Sequence, residues 1–202
     1  VTAPTSAAPD HRSLAVPAQG SHVTAFDWTG SAVRPTVTNR GRFVHAGLLG
    51  LLSGDVHFVN FGSIEAERGP IAFNGPATFE DGTRFEGNVI SVRHSATFKG
   101  RFETSAPLIL VAGTFDGQAA TMSGGVQWTG GTLANNWTNE GRLAISNSAE
   151  VKAIAGTFTN AGEIAWLSDA DVIHVGEASR ATSIVNRGSI DVGLASDSAA
   201  LT

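Results

Sequence analysis

The chain has no cysteine, which excludes disulfides, thiolate metal sites and cysteine nucleophiles together. Charge is scarce: 15 % of residues are Asp, Glu, Lys or Arg, against about a quarter in an ordinary domain. Lysine occurs only as Lys99 and Lys152 and the net charge is −5, which argues against nucleic acid as a partner. No apolar run approaches the ~20 residues of a membrane-spanning helix. Helical periodicity is hard to find, and the one compact apolar stretch, AGLLGLL at 46–52, is short and interrupted by two glycines. There is no His-Glu-x-x-His, Gly-x-Ser-x-Gly or P-loop, and nothing implies a cofactor.

What is present is glycine, 24 of 202 residues, with 42 % hydrophobic residues, enough to bury a core. The length suits one domain, or one domain plus an arm. Residues 1–24 read as that arm or linker. Fourteen of them are Ala, Pro, Ser or Thr, and Pro4, Pro9 and Pro17 remove donors and favour extended chain. A sharper reading pairs Leu14, Val16 and Val23 with another subunit. The first residue is Val, so the chain is expected to be processed or cut from something longer.

The remainder, 25–202, is organised by an internal repeat. Five segments share one pattern: VTNRGRFVH (37–45), FVNFGSIEA (58–66), WTNEGRLAI (137–145), FTNAGEIAW (158–166) and IVNRGSIDV (184–192). Asn39, Asn60, Asn139, Asn160 and Asn186 are each followed two residues later by Gly41, Gly62, Gly141, Gly162 and Gly188. Val37, Phe58, Trp137, Phe158 and Ile184 form one apolar column; Phe43, Ile64, Leu143, Ile164 and Ile190 form another. Apolar and polar positions alternate with period two on both sides of the Asn-x-Gly, which makes the unit strand, corner, strand. The glycine is expected to supply a positive φ, and the Asn to hydrogen-bond the corner.

Asn39 to Asn60 is 21 residues, and so is Asn139 to Asn160; 25–64 aligns with 125–164 at an offset of 100 without a gap. A unit this small cannot enclose a core alone and must stack on its neighbours. One marked corner per 20–21 residues fits one coil of a parallel β-solenoid, right-handed by the usual crossover rule. The stretch 67–124 lacks Asn-x-Gly but places Phe79, Phe85, Phe98 and Phe115 shortly before glycines, and reads as further coils with different corners. Stacked coils would bring the five Asn side chains into an amide ladder.

These copies, with Trp-Thr-Gly-Gly-Thr-Leu (128–133) leading into one of them, resemble the repeats of secreted bacterial β-helix proteins, the autotransporter-passenger and filamentous-haemagglutinin-like adhesins. The resemblance implies an all-β, right-handed parallel β-helix, export, and an extracellular or cell-surface location. The function it implies is non-enzymatic and structural or adhesive, in a fibre or matrix. Partners would then be further copies, head to tail or within a longer solenoid, and a glycan or cell-surface ligand. The Asn-Pro-Asn-Gly of two-partner secretion, an Arg-Gly-Asp and an aromatic C-terminus are absent.

Few chemistry-bearing residues escape the repeat. Asp169, Asp171 and His174 lie where 158–184 exceeds the 21-residue step, an insertion of the kind that carries function. Asp169-x-Asp171 is a candidate for Ca²⁺ or acid–base work, with solvated charge as the default. Asp55 and His57 alternate with Val56 and Phe58 and read as an outward surface pair. Glu65 and Glu67 share an outward face, where two carboxylates can flank a sugar. The alternative function, a polysaccharide-binding or polysaccharide-cleaving β-helix, would draw on Asp169, Asp171, Glu65 and Glu67. His45 breaks an apolar column and is expected as a hydrogen-bonded core or coil-end residue. Trp137 and Trp166 fall in apolar columns; Trp28 and Trp128 are the candidates for exposed stacking on a glycan.

Overall fold

The computed structural model describes residues 14–16, 23–24, 34–48, 50–52, 56–146, 151–167, 172–176 and 181–193. Two short strands, β1 (Leu14–Val16) and β2 (Val23–Thr24), come first. One layer then follows as β3 (Thr36–Asn39), β4 (Arg42–His45) and β5 (Gly50–Leu52). The next is β6 (His57–Asn60), β7 (Ser63–Ala66) and β8 (Ile71–Phe73). After it come β9 (Ala77–Phe79), β10 (Arg84–Gly87) and β11 (Ile90–Val92). β12 (Ala96–Leu110) and β13 (Thr114–Trp128) each run unbroken through a whole layer. β14 (Gly131–Asn139) with β15 (Arg142–Ile145), and β16 (Lys152–Asn160) with β17 (Glu163–Trp166), make two more. The last described layer holds β18 (Ile173–Val175), β19 (Ser183–Asn186) and β20 (Ser189–Val192).

Every pairing among the described strands joins neighbouring layers and is parallel; one column runs β3, β6, β9, β12, β13, β14, β16, β18. This is a β-solenoid. Asn39 lies over Asn60 and Asn139 over Asn160 in register, as stacked coils require. The 21-residue step holds from β3 to β6 and from β14 to β16, shortens between them, and lengthens to 26 from Asn160 to Asn186. Phe58 pairs with Ala77, Ala77 with Ala96 and Ala96 with Phe115, each 19 residues on.

The alternation read from the sequence becomes an inside and an outside. Along β12, Ala96, Phe98, Phe102, Thr104, Ala106, Leu108 and Leu110 are buried. Because like positions stack, inward phenylalanines meet in a continuous chain. Phe43–Phe58, Phe58–Phe73 and Phe73–Phe79 have centroids 5.3–5.4 Å apart; Phe79–Phe98 and Phe98–Trp137 follow at 4.8 and 5.2 Å. Such edge and tilted contacts add about 0.5–1.5 kcal/mol each beyond area burial.

Two expectations are revised here. Part of the stretch read as an arm belongs to the stack, since β1 pairs with Phe43–His45 and β2 with Gly50–Leu51 of the same chain. Stacking therefore starts before residue 25. Nor do the five Asn corners share one column. Asn60 continues through Phe79, Phe98 and Gly117 to Asn135, whereas Asn139 lies over Met122 and that over Phe102. The strand after the corner moves too. β7 stacks on β4 and β10, but β15 stacks on Gly125–Trp128 of β13, in the column of β8 and β11. Two register shifts between β12 and β13 make the transfer: the face of β4, β7 and β10 closes while a new one opens along Arg101, Thr121, Thr138 and Thr159.

Candidate functional site

The Asn-x-Gly corner is the most repeated chemical feature. Within a corner the Asn Oδ1 accepts from the glycine N–H, at 3.2 Å for both Asn39–Gly41 and Asn139–Gly141. Between layers the amide Nδ2 donates upward. Asn39 Nδ2 donates to Asn60 Oδ1 (2.6 Å) and to the Ser63 carbonyl (3.1 Å). Asn60 Nδ2 donates to Thr83 Oγ1 (3.1 Å), where a hydroxyl ends this ladder. The second ladder repeats the bonds: Asn139 Nδ2 to Asn160 Oδ1 (2.7 Å) and the Glu163 carbonyl (3.0 Å), then Asn160 Nδ2 to Asn186 Oδ1 (2.7 Å) and the Ser189 carbonyl (2.9 Å). Asn60, Asn139 and Asn160 have no solvent exposure, and buried amides need such partners.

The glycines owe their identity to something other than the expected positive φ. Gly41, Gly62, Gly141, Gly162 and Gly188 all lack a left-handed conformation, which occurs at other glycines, among them Gly82 and Gly100 in the central layers. The constraint is close approach. A Cβ on Gly62 would collide with the Gly41 carbonyl oxygen, one on Gly162 with that of Gly141, and one on Gly188 with that of Gly162. Those oxygens accept the interlayer bonds from Ser63, Glu163 and Ser189 N–H at 2.8–3.0 Å, so the layer above cannot retreat.

Charged side chains follow the same stacking. Arg42 Nε donates to Glu65 Oε2 at 2.6 Å and Arg42 lies 3.8 Å from Glu67. Arg142 pairs with Glu163 at 2.8 Å and Lys99 with Glu80 at 2.8 Å. Arg101 pairs with Glu140, which holds its guanidinium pKa above the ordinary value. Glu65 and Glu67 thus share an arginine in the layer below. His57 Nε2 lies 2.9 Å from Thr78 Oγ1, while Asp55 lies outside the described residues, as do Asp169, Asp171 and Trp28. His174 is exposed on β18. Among the described residues no three His, Asp or Glu side chains are grouped to hold a metal, and no helix is long and apolar enough to cross a membrane.

Trp128 is not an exposed stacking platform. It is 1 % exposed, and its Nε1 donates to the Gly130 carbonyl at 2.9 Å. Trp128 is at an inward position in register with Leu110 and Ile145. Trp137 is buried in the aromatic chain as its column implied. His45 is buried as expected, but its Nε2 has no hydrogen-bond partner among the described residues, and burial holds its pKa below the ordinary imidazole value.

Two features escape sequence reading. Where the face of β4, β7 and β10 closes, three residues of β12, 105–107, stand against only Gly125 between Gly124 and Val126 of β13. A cleft of about 320 Å³ opens there between Ser105, Pro107, Gly125, Gln127 and Arg142. It adjoins one of about 260 Å³ between Arg84, Glu86, Glu103 and Ser105. The other feature is the last layer. Val175, Ile184, Ile190 and Val192 are in register with buried Ile154, buried Phe158, buried Ile164 and partly buried Trp166. Yet they are 54, 46, 44 and 64 % exposed.

Comparison with known proteins found no matching family model, no matching curated protein and no matching solved structure. The β-helix part of the resemblance stands on the fold itself; membership of the adhesin families gains no support from these comparisons.

Proposed function

We propose that this chain is a stiff structural or adhesive rod, non-enzymatic and working outside a bacterial cell as part of a fibre or matrix. The observation that carries the reading is where the side chains are spent. Amides, aromatic rings and ion pairs at successive layers bond to the layer above, so the repeat's chemistry goes into continuity along the stack. Interlayer backbone bonds and packed rings make such a stack resist bending as one body. The test is incubation with bacterial surfaces, extracellular matrix and a polysaccharide panel. The expected result is retention on a surface or matrix without release of reducing ends. Release above that of heat-unfolded protein would overturn the non-enzymatic reading.

The second reading, binding or cleavage of a polysaccharide, draws on the cleft beside Ser105. Guanidinium, carboxylate, hydroxyl and amide groups there surround a small apolar floor, a lining suited to a sugar. Saturable binding of one polysaccharide, abolished by Gln127→Ala together with Ser105→Ala, would favour it.

A further inference from the structure

We infer that the last layer, β19–β20, docks beneath β3–β4 of a second copy of this chain, displacing that copy's β1, so that molecules add head to tail. The inference rests on complementarity of the two ends and not on the adhesive reading.

The first argument is the unfinished ladder. Asn39, Asn139 and Asn160 each send Nδ2 to an oxygen of the next Asn and to a carbonyl three residues beyond it. Asn186 has no such layer above it among the described residues; its Nδ2 keeps the bond within the corner, to Gly188 O at 3.2 Å, that Asn39 also makes to Gly41 O at 3.2 Å, without the bonds to a further layer. At the opposite end Asn39 Oδ1 accepts from Gly41 N–H but, among the described residues, from no Asn below. The donor end of the second ladder and the acceptor end of the first are thus both open. Their corners carry the same residues, Asn186-Arg187-Gly188 and Asn39-Arg40-Gly41.

The second argument is Gly41. Gly62, Gly141, Gly162 and Gly188 must lack a Cβ because a carbonyl of the layer below would meet it. A Cβ on Gly41 meets nothing within 4 Å among the described residues, and its φ is not left-handed. A carbonyl beneath it would supply the missing reason, and in the docked pair that carbonyl is Gly188 O. The Arg42 N–H of the second copy would then donate to Gly188 O, as Ser189 N–H donates to Gly162 O at 2.9 Å.

The third is burial. Ile184 and Ile190, nearly half exposed, would come under Val37 and Phe43, the corresponding members of their columns. Of the two strands on the receiving side, β3 pairs only with β6 among the described residues, and β4 holds three residues of β1. Docking exchanges those three for the eight of β19 and β20. β2 pairs with β5, outside the two strands that β19 and β20 would meet.

The lack of native cysteine makes a register test clean. In the docked pair Val185 falls opposite Thr38, at the strand spacing a disulfide can span. T38C with V185C should oxidise to a ladder of covalent multimers, and T38C with D191C, out of register, should not. Locking β1 in place with A15C and V44C, which are register partners, should hold the oxidised protein monomeric and release association on reduction. Gly41→Ala should keep the wild-type melting temperature and lose association by at least tenfold in sizing with light scattering. A monomer at every concentration, equal crosslinking in and out of register, or Gly41→Ala that assembles like wild type would each overturn the inference. The first result would mean that a segment of the same chain covers this layer in solution, and the rod reading would survive it.

Discussion

Replacing Asn160 tests the ladder most directly. The residue is fully buried; its Oδ1 accepts from Asn139, and its Nδ2 donates to Asn186 Oδ1 and the Ser189 carbonyl. Asn160→Ala removes three bonds. At about 1 kcal/mol each, less the Glu163 carbonyl that Asn139 Nδ2 retains, the expected loss is about 2–3 kcal/mol. Asn186→Ala removes one acceptor at an exposed corner and should cost below about 1 kcal/mol. Asn160→Asp sharpens the test. Protonated, the new carboxyl has the shape of the amide and can donate to Asn186 Oδ1; ionised, it places two acceptors face to face in a buried site. Its folded-state pKa must therefore rise above the unfolded value of about 3.9. The stability of the variant should be greatest below that pH and fall as pH increases through the folded pKa. Urea unfolding of the four proteins from pH 3.5 to 7.5 is the assay. Equal losses for Asn160→Ala and Asn186→Ala, or a pH-independent gap between Asn160→Asp and wild type, would refute the reasoning.

Gly62→Ala should lose at least about 2 kcal/mol, because the added carbon meets a backbone oxygen that cannot move. Gly125→Ala, with open space and no left-handed φ, should stay within about 0.5 kcal/mol; thermal melts of the two read the difference. Burial lowers the pKa of His45, so the unfolded chain takes up a proton first as pH drops. His45 should contribute full stability above about pH 6.5, lost progressively toward and through its folded pKa. The melting-temperature difference between pH 7.5 and 5.0 should accordingly shrink in His45→Leu. Phe98→Ala should cost about 3–5 kcal/mol in urea unfolding, since Phe98 touches Phe79, Phe102 and Trp137 and has no exposure.

The architecture was legible because it is written in repeated columns. Asn39 and Asn60, or Phe158 and Ile184, announce their stacking by position alone, and period-two alternation assigns the inside. The physical reason for the glycines was not legible: positive φ and close approach both select glycine, and only the neighbouring carbonyl distinguishes them. Trp128 misled because it stands outside the Asn-x-Gly columns, where its inward partners Leu110 and Ile145 could not be aligned without the shortened central coils. The cleft beside Ser105 was hidden for the same reason, since it arises from a register shift rather than from any motif. An exposed core column such as Ile184 and Ile190 reads identically to a covered one in sequence, because the pattern records which side faces inward and is silent on what lies above.

The two Asn ladders explain why the central layers abandon the motif. An Asn corner continues its ladder only where the layer above places its own Asn amide and a close-approaching glycine directly overhead. A corner that migrates by one face between β10 and β15 cannot meet that condition while it moves. The layers that make the transfer use other devices: left-handed glycines at 82 and 100, the Thr83 hydroxyl that closes the first ladder, and the Asp81 carboxylate that accepts the Arg101 N–H at 2.7 Å. Their inward positions hold Phe79, Phe85, Phe98 and Phe102, fully or almost fully buried and in mutual contact. Continuity thus passes from amides to rings across the transfer and returns to amides at Asn139, so the rod stays bonded layer to layer while its corner changes face.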